Sequence, residues 1–351
     1  MTRLTCALGP DAAGTMLHRF LASATTRLDV GVYEVGPSYG WAFPRAVERG
    51  VRTRLLLDGH GGANQGCIQE LRAAAARGVE VPCRVRRHDG HREAHWKLLI
   101  ADADRLAVGT GNLIGRDAPA DRQGRLPPES PPMAGTREWW AFVDGAPTLA
   151  AAARSRLTAV WRESSPPPAL WAVERALEVP PVGCPQPAVA PLELEMAARH
   201  LQLVIEGRAV RMTIEAALER AARRCLLAVP YVHTWAHEVR PLLDRLADLR
   251  SQGLDVRVLL GMEPAGGDAA TLRTRGVPAR VMDPARCTTG HVKGLVADST
   301  VLVMSSNWSA AGLGSSIESC LRIDNAAASA YFADAFERDW AVAEQATAET
   351  G

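Results

Sequence analysis

Short apolar runs alternate with amphipathic stretches of about a dozen residues along most of this chain. Residues 10–26 carry helical spacing, and LDVGVYE (28–34) follows as an apolar strand ending in Tyr33 and Glu34. The loop PSYGWAF (37–43) leads into a helix through Arg49, then come strand TRLLLD (53–58), helix 63–77 and strand VEVPCRV (79–85). Two apolar runs within 95–113, joined across Asp-Ala-Asp, read as paired strands; REWWAFVD (137–144) is another strand, closed by a helix at 148–162. The same order then returns: helix 211–223, strand CLLAVPY (225–231), helix 235–251, strands DVRVLL (255–260) and VPARVM (277–282). Two runs joined across Asp-Ser-Thr, the stretch SSIESCLRID (315–324) and a helix at 326–346 complete it. Strands alternating with helices predict an α/β fold with a parallel-rich sheet covered on both faces. The repeated order predicts an internal duplication about a pseudo-two-fold.

Residues 164–191 break this rhythm. They are too proline-dense for core, with one short helix expected at 169–177, and read as a linker between an N-terminal half (1–163) and a C-terminal half (192–351). The 351 residues leave room for two core-bearing units, and 47% apolar with 23% charged residues is ordinary for a soluble globular protein. A net charge of +1 excludes the global basic field of non-specific nucleic-acid binders. Seven cysteines without a CxxC pair read as free thiols in a reducing compartment. The N-terminal residues lack the apolar core of an export signal and no apolar run reaches about 18 residues, so the expectation is a cytoplasmic protein with peripheral membrane contact left open.

Composition then points to two places. Of 40 Lys plus Arg only two are Lys, Lys97 and Lys293, and two of the four Asn are Asn112 and Asn307. They lie in HWKLLIADADRLAVGTGNL (95–113) and HVKGLVADSTVLVMSSNW (291–308), whose histidines are 196 residues apart. Each copy reads His-x-Lys, four residues, Asp, an apolar run, then a small hydroxyl residue, any residue and Asn. On a strand i and i+2 share a face, so His95 projects beside Lys97 and Thr110 beside Asn112, as do His291 with Lys293 and Ser305 with Asn307. That inventory suits a phosphodiester. Lys, Asn and hydroxyl are donors for non-bridging oxygens, while one His attacks phosphorus and the other protonates the leaving oxygen. Asp102 and Asp298 stand an odd step from their histidines and read as structural turn or salt-bridge residues.

The two copies resemble the duplicated His-Lys-Asp motif of the phospholipase D superfamily, with Thr110 and Met304 standing where that family usually has Ser and Gly. The resemblance implies a duplicated phospholipase D-like fold, two αβ halves with mixed, largely parallel sheets. It also implies a metal-independent phosphodiesterase working through a covalent phosphohistidine, with no cofactor. In that family a Glu after the Asn accepts a hydrogen bond from the motif His; Glu138 and Glu318 match the position, 43 and 27 residues after His95 and His291. The longer spacing reflects an insertion at 114–136, expected over the mouth of the site. Well-known members use the N-terminal histidine as nucleophile, which assigns His95 as nucleophile and His291 as acid.

Other signals are weaker. Arg84, Arg86, Arg87, His88, His91 and Arg92 make the run into His95 basic, either an anion-attracting rim or a solvated face. His88, His91 and His95 have no Cys/His partner set elsewhere, so no metal is expected. His233 and His237 have helical i, i+4 spacing without the Glu of HExxH and read as pocket lining; GHGGANQG (59–66) lacks a P-loop ending and reads as a loop. The superfamily includes phospholipases, phosphatidyltransferases and nucleases. Near-neutral charge and the loop aromatics Trp41, Phe43 and Trp235 favour a phospholipid substrate; the basic run and lack of an anchor favour nucleic acid. The balance falls to lipid.

Overall fold

Every residue of the strand that opens on Lys97 is buried, and that strand sits near the middle of a sheet rather than at its edge. In this computed structural model the described residues are 1–87, 93–120, 135–168, 189–262, 267–282, 287 and 289–343. The first sheet comprises β1 (Thr2–Gly9), β2 (Arg27–Val32), β3 (Arg52–Asp58), β4 (Cys83–Arg86), β5 (Lys97–Ala101), β6 (Arg105–Gly109), β7 (Glu138–Asp144) and β8 (Leu192–Met196). Their order in space is β4-β3-β2-β5-β6-β7-β1-β8. The second comprises β9 (Leu201–Ile205), β10 (Arg224–Val229), β11 (Asp255–Leu260), β12 (Ala279–Val281), β13 (Gly294–Ala297), β14 (Thr300–Met304) and β15 (Ser319–Asp324), ordered β12-β11-β10-β13-β14-β15-β9. Helices α1 (Ala13–Ala22), α2 (Pro37–Gly40), α3 (Ala42–Glu48), α4 (Asn64–Ala75) and α5 (Pro147–Arg162) belong to the first half; α6 (Gly207–Arg220), α7 (Arg240–Ser251), α8 (Asp268–Thr274) and α9 (Ala326–Val342) belong to the second.

The sheets are mixed but not largely parallel. Among the strand ladders of the described residues, parallel pairing is confined to β2-β3-β4 and β10-β11-β12, and the rest are antiparallel; four isolated bridges outside the strands are also parallel. The motif strands explain this: the turns between β5 and β6 and between β13 and β14 are too short for a crossover. Asp102 and Asp298 make those turns. Both take φ of 51°, a left-handed conformation that Asp tolerates. Their carboxylates accept backbone N–H bonds from Thr25, Thr26 and Arg27, and from Ala222, Arg223 and Arg224. At Asp102 burial raises the pKa, but those N–H bonds outweigh it and bring it down to about 2.

Three strands escaped the sequence pattern. β1 is buried along nearly its whole length, so it shows no alternation, and β8 and β9 are short. β8 pairs with β1, which puts 192–196 in the first sheet although the sequence assigns it to the C-terminal half. The helix expected at 235–251 begins only at Arg240. The expected helix 169–177, His88, His91, Arg92, residues 121–134 of the insertion and the end of helix 326–346 lie outside the described residues.

Apolar helices cover the outer faces: Leu17, Phe43 and Leu71 on the first sheet, Ile214, Leu243 and Leu272 on the second. The inner faces meet. Leu98, Val108 and Trp139 share one core with Val296, Val303 and Leu321, closed by Leu157 of α5 and Phe332 and Phe336 of α9. Arg137 locks the halves together. Buried beside Glu138, it donates to Asp11 Oδ2 at 2.8 Å and to Asp339 Oδ1 on α9 at 3.0 Å.

Candidate active site

Two backbone bridges between the halves position the site. Ala94 pairs with Ile317 and Gly290 with Arg137, so the residue before each motif histidine lies beside the residue before the opposite half's glutamate. Ile317 N donates to Glu93 O at 2.7 Å and His291 N to Arg137 O at 3.0 Å. The histidine–glutamate pairs are therefore crossed. His95 Nδ1 lies 3.2 Å from both oxygens of Glu318, and His291 Nδ1 lies 2.6 Å from Glu138 Oε1. Each half's carboxylate holds the other half's imidazole.

The lysines are fully buried between these pairs. Lys97 Nζ donates to His95 O at 2.6 Å; Lys293 Nζ donates to His291 O at 2.7 Å and reaches across to Thr110 O at 3.2 Å. Tyr33 closes one side, its ring edge-on to His95 with centroids 5.0 Å apart.

The hydroxyls take a different place from the one expected. Thr110 donates to Glu138 and accepts from Trp139 N at 2.9 Å; Ser305 donates to Glu318 and accepts from Ser319 N at 2.8 Å. Their protons go to the glutamates, so both hydroxyls brace a carboxylate rather than a phosphoryl oxygen. The neighbouring strand reaches them first. The carboxamides differ: the buried Oδ1 acceptors of Asn112 and Asn307 have no protein hydrogen-bond partner, and Asn112 Nδ2 lies 3.5 Å from Glu34 Oε2. Gly111, between Thr110 and Asn112, has to be glycine, since a Cβ there would sit 2.4 Å from the Glu138 carboxyl carbon. The departure at Met304 is a volume exchange. Met304 faces Cys320, whereas the equivalent Gly109 faces Trp140.

A family model described as "Cardiolipin synthase, PLD-like domain" matches residues 214–340, which hold His291 through Glu318. The structure of phosphatidylserine synthase from Haemophilus influenzae Rd KW20 is similar at TM-score 0.61 and 12% identity, over 95% of this chain and 86% of that one. Polyphosphate kinase from Porphyromonas gingivalis gives 0.59 and 11%, over 95% of this chain and 46% of that one. The second motif half thus matches a PLD-like domain, and the fold over nearly the whole chain is similar to that of these two structures. Nuc, a phospholipase D family member from Salmonella typhimurium, aligns with 47% of this chain and 97% of its own at 17% identity and TM-score 0.38. No curated protein sequence matches.

The electrostatics of the site follow from burial. Burial first, then the neighbouring Lys97, lower the pKa of His95, against the pull of Glu318. Burial followed by Lys293 takes His291 well below the ordinary value. Desolvation brings Lys97 down to about 8 and Lys293 to about 7, and raises Glu138 to about 7. The two histidines and two lysines therefore hold their protons loosely, Glu138 holds its own more tightly, and an arriving anion would tighten the former.

Several residues that position the site carried no sequence signal. Asp58, at the end of β3, accepts the Ala94 N–H at 2.7 Å and so fixes the approach to His95. Asp117, inside the stretch read as an insertion, is fully buried and accepts the Asn112 N–H at 3.0 Å. The basic run contributes less than its composition suggests. Arg84 is tied to the carbonyls of Trp161 and Ser164, and Arg86 pairs with Glu163. His233 and His237 share no helix; His233 stacks between Tyr231 and Trp235.

Among the described residues Asp117, Glu138 and His291 bring one donor atom each within 4.8 Å. They fit a metal poorly. Glu138 already accepts from Thr110 and meets His291 Nδ1, so an ion would have to break the pair that orients the imidazole. Among the described residues no helix is long and apolar enough to cross a membrane.

Proposed function

We propose that this protein is a metal-independent phosphodiesterase or phosphatidyltransferase that acts on a phospholipid through a phosphohistidine. The observation that carries this reading is the pair of crossed histidine–glutamate contacts flanking two buried lysines. With Nδ1 engaged, each ring offers Nε2 to the substrate. His95 Nε2 attacks phosphorus as the P–O bond breaks, and the leaving oxygen takes a proton from His291. An acceptor, water or an alcohol, then gives its proton back to His291 as its oxygen replaces nitrogen on phosphorus. Lys97 and Lys293 supply compact charge for the phosphoryl oxygens, and Asn112 and Asn307 supply amide donors. Glu138 and Glu318, braced by Thr110 and Ser305, orient the rings.

The lipid reading rests on aromatic exposure and on the likeness to phosphatidylserine synthase and to the cardiolipin synthase family model. Trp235 is 71% exposed and continues through His233 to Tyr231, ring centroids 5.2 and 5.0 Å apart. Of the other aromatics expected to meet a lipid, Phe43 is fully buried and does not serve, while Trp41 is half-buried with its indole N–H donated to Ser38 O. A cytoplasmic protein in peripheral contact with a membrane fits this reading.

The test is a chelated assay with phosphatidylcholine and phosphatidylglycerol vesicles, single-stranded DNA and bis(p-nitrophenyl) phosphate in parallel. Turnover is expected to survive EDTA, with vesicle lipid the best substrate. Trp235→Ser should lower vesicle turnover several-fold and leave the soluble diester unchanged. Loss on chelation, restored by a divalent ion, overturns the mechanism; preference for DNA moves the substrate to nucleic acid.

A further inference from the structure

The two halves correspond closely around the motif, and the correspondence fails at a buried charge. Ala118 N donates to Ile114 O and Leu313 N to Ser309 O, both at 3.0 Å, so the turn after Asn112 matches the turn after Asn307 and Asp117 occupies the place of Gly312. A Cβ at Gly312 would lie 2.3 Å from Asn307 O, so the second half can carry no side chain there. Asp117 Oδ2 is pinned by the Asn112 N–H; Oδ1 takes no hydrogen bond and lies 3.5 Å from Arg116 Nε. One oxygen of Asp117, one of Glu138 and a ring nitrogen of His291 lie within 4.8 Å of one another. Two buried carboxylates thus face His291, and the Glu138 contact, at 2.6 Å, is shorter than the 3.2 Å contacts between His95 and Glu318.

A carboxylate in the wall of an anion site repels the substrate unless a positive charge stands beside it. We propose that Asp117 is a positioning residue that makes His291 the proton-carrying histidine, and so gives the two-histidine reaction its direction. The groups facing His291 set the need. Its own burial comes first in opposing a charged ring, followed by Lys293 on the same segment, Lys97 on β5 and His95; Glu138 on β7 and Asp117 on the loop after β6 favour it. Glu34 interacts with Asp117 and Lys97.

The role rests on the reaction proposed above, and its first test does not. Ring ¹⁵N NMR of the full chain, labelled at histidine, follows the protonation of His95 and His291 in the wild type and in Asp117→Asn, whose amide oxygen still accepts the Asn112 N–H. In Asp117→Asn, His291 should lose its proton about one pH unit lower, with His95 unmoved. No shift, or equal shifts of both rings, overturns the proposal. If the Asn variant fails to fold, Asp117→Ser is titrated in its place. Kinetics give a second readout: a diester with an alkyl alcohol leaving group, which needs the acid, should slow at least tenfold more than a p-nitrophenyl diester. Equal slowing would mean that Asp117 only supports the loop. A wild type that forms no phosphohistidine from any diester sinks the proposed reaction, and the titration still decides what Asp117 does.

Discussion

The first half surrounds its motif with acids, and the second half uses glycine and tyrosine at the same places. The Val35–Leu113 and Val232–Trp308 bridges align Glu34 with Tyr231, and the strand registers align Asp58 with Gly261. The Asn112 and Asn307 turns align Asp117 with Gly312. Where Asp58 grips the chain before His95 by a side-chain bond, Gly261 lets the chain before His291 press directly against it. A Cβ at Gly261 would sit 1.4 Å from Gly290 O. The lesson is that the duplicated motif keeps its histidine, lysine and asparagine constant while the surroundings diverge. Two chemically identical histidines can then be given unequal tasks, as nucleophilic and acid roles require.

The largest effect should come from breaking that division. His95→Ala is expected to form no phosphoenzyme. His291→Ala should react once with a good leaving group and accumulate the adduct, because the base for the second step is missing, and should slow alkyl diesters by about 10²–10⁴-fold. Mass spectrometry of quenched protein locates the adduct, and a phosphoryl group on His291 reverses the assignment.

The lysines are where the halves should agree. Lys97→Arg and Lys293→Arg should each cost about 3 kcal/mol in the barrier, nearly as much as Lys→Ala, because a planar fork cannot replace an ammonium buried against a backbone carbonyl. Near-normal rates in both would remove them from the reaction. Their lowered pKa values, about 8 and about 7, mean that the ammonium is lost in the free protein as the pH rises through those values. kcat/KM should therefore fall above about pH 7, and a flat profile between pH 6 and 9 would contradict the buried charges.

The smallest expected difference is at the turns. Asp102→Ala and Asp298→Ala each remove a carboxylate that binds three backbone N–H groups at φ of 51°, and each should destabilise the chain by about 1–3 kcal/mol in urea unfolding. The two costs should agree within about 1 kcal/mol. A larger gap would show that the pseudo-symmetry does not extend to stability.

Much of this fold was legible because it is local. Apolar runs of strand length, the turns at Asp102 and Asp298, and the placing of the only two lysines are properties of short segments, and the repeated order of elements announces two halves. What stayed hidden depends on residues far apart in the chain. His95 and Glu318 are 223 residues apart, and His291 and Glu138 are 153 apart. Either glutamate matched the motif position in sequence, and the Ala94–Ile317 and Arg137–Gly290 bridges decided which histidine it meets. The same reason hid β1, whose pattern vanishes when both faces are covered, and Phe43, a loop aromatic by sequence and a core residue in the fold. The sequence by itself determined which groups exist and on which strands they ride. Only tertiary packing decided which carboxylate holds which imidazole, since strand alternation chooses a face and cannot choose the neighbour that covers it.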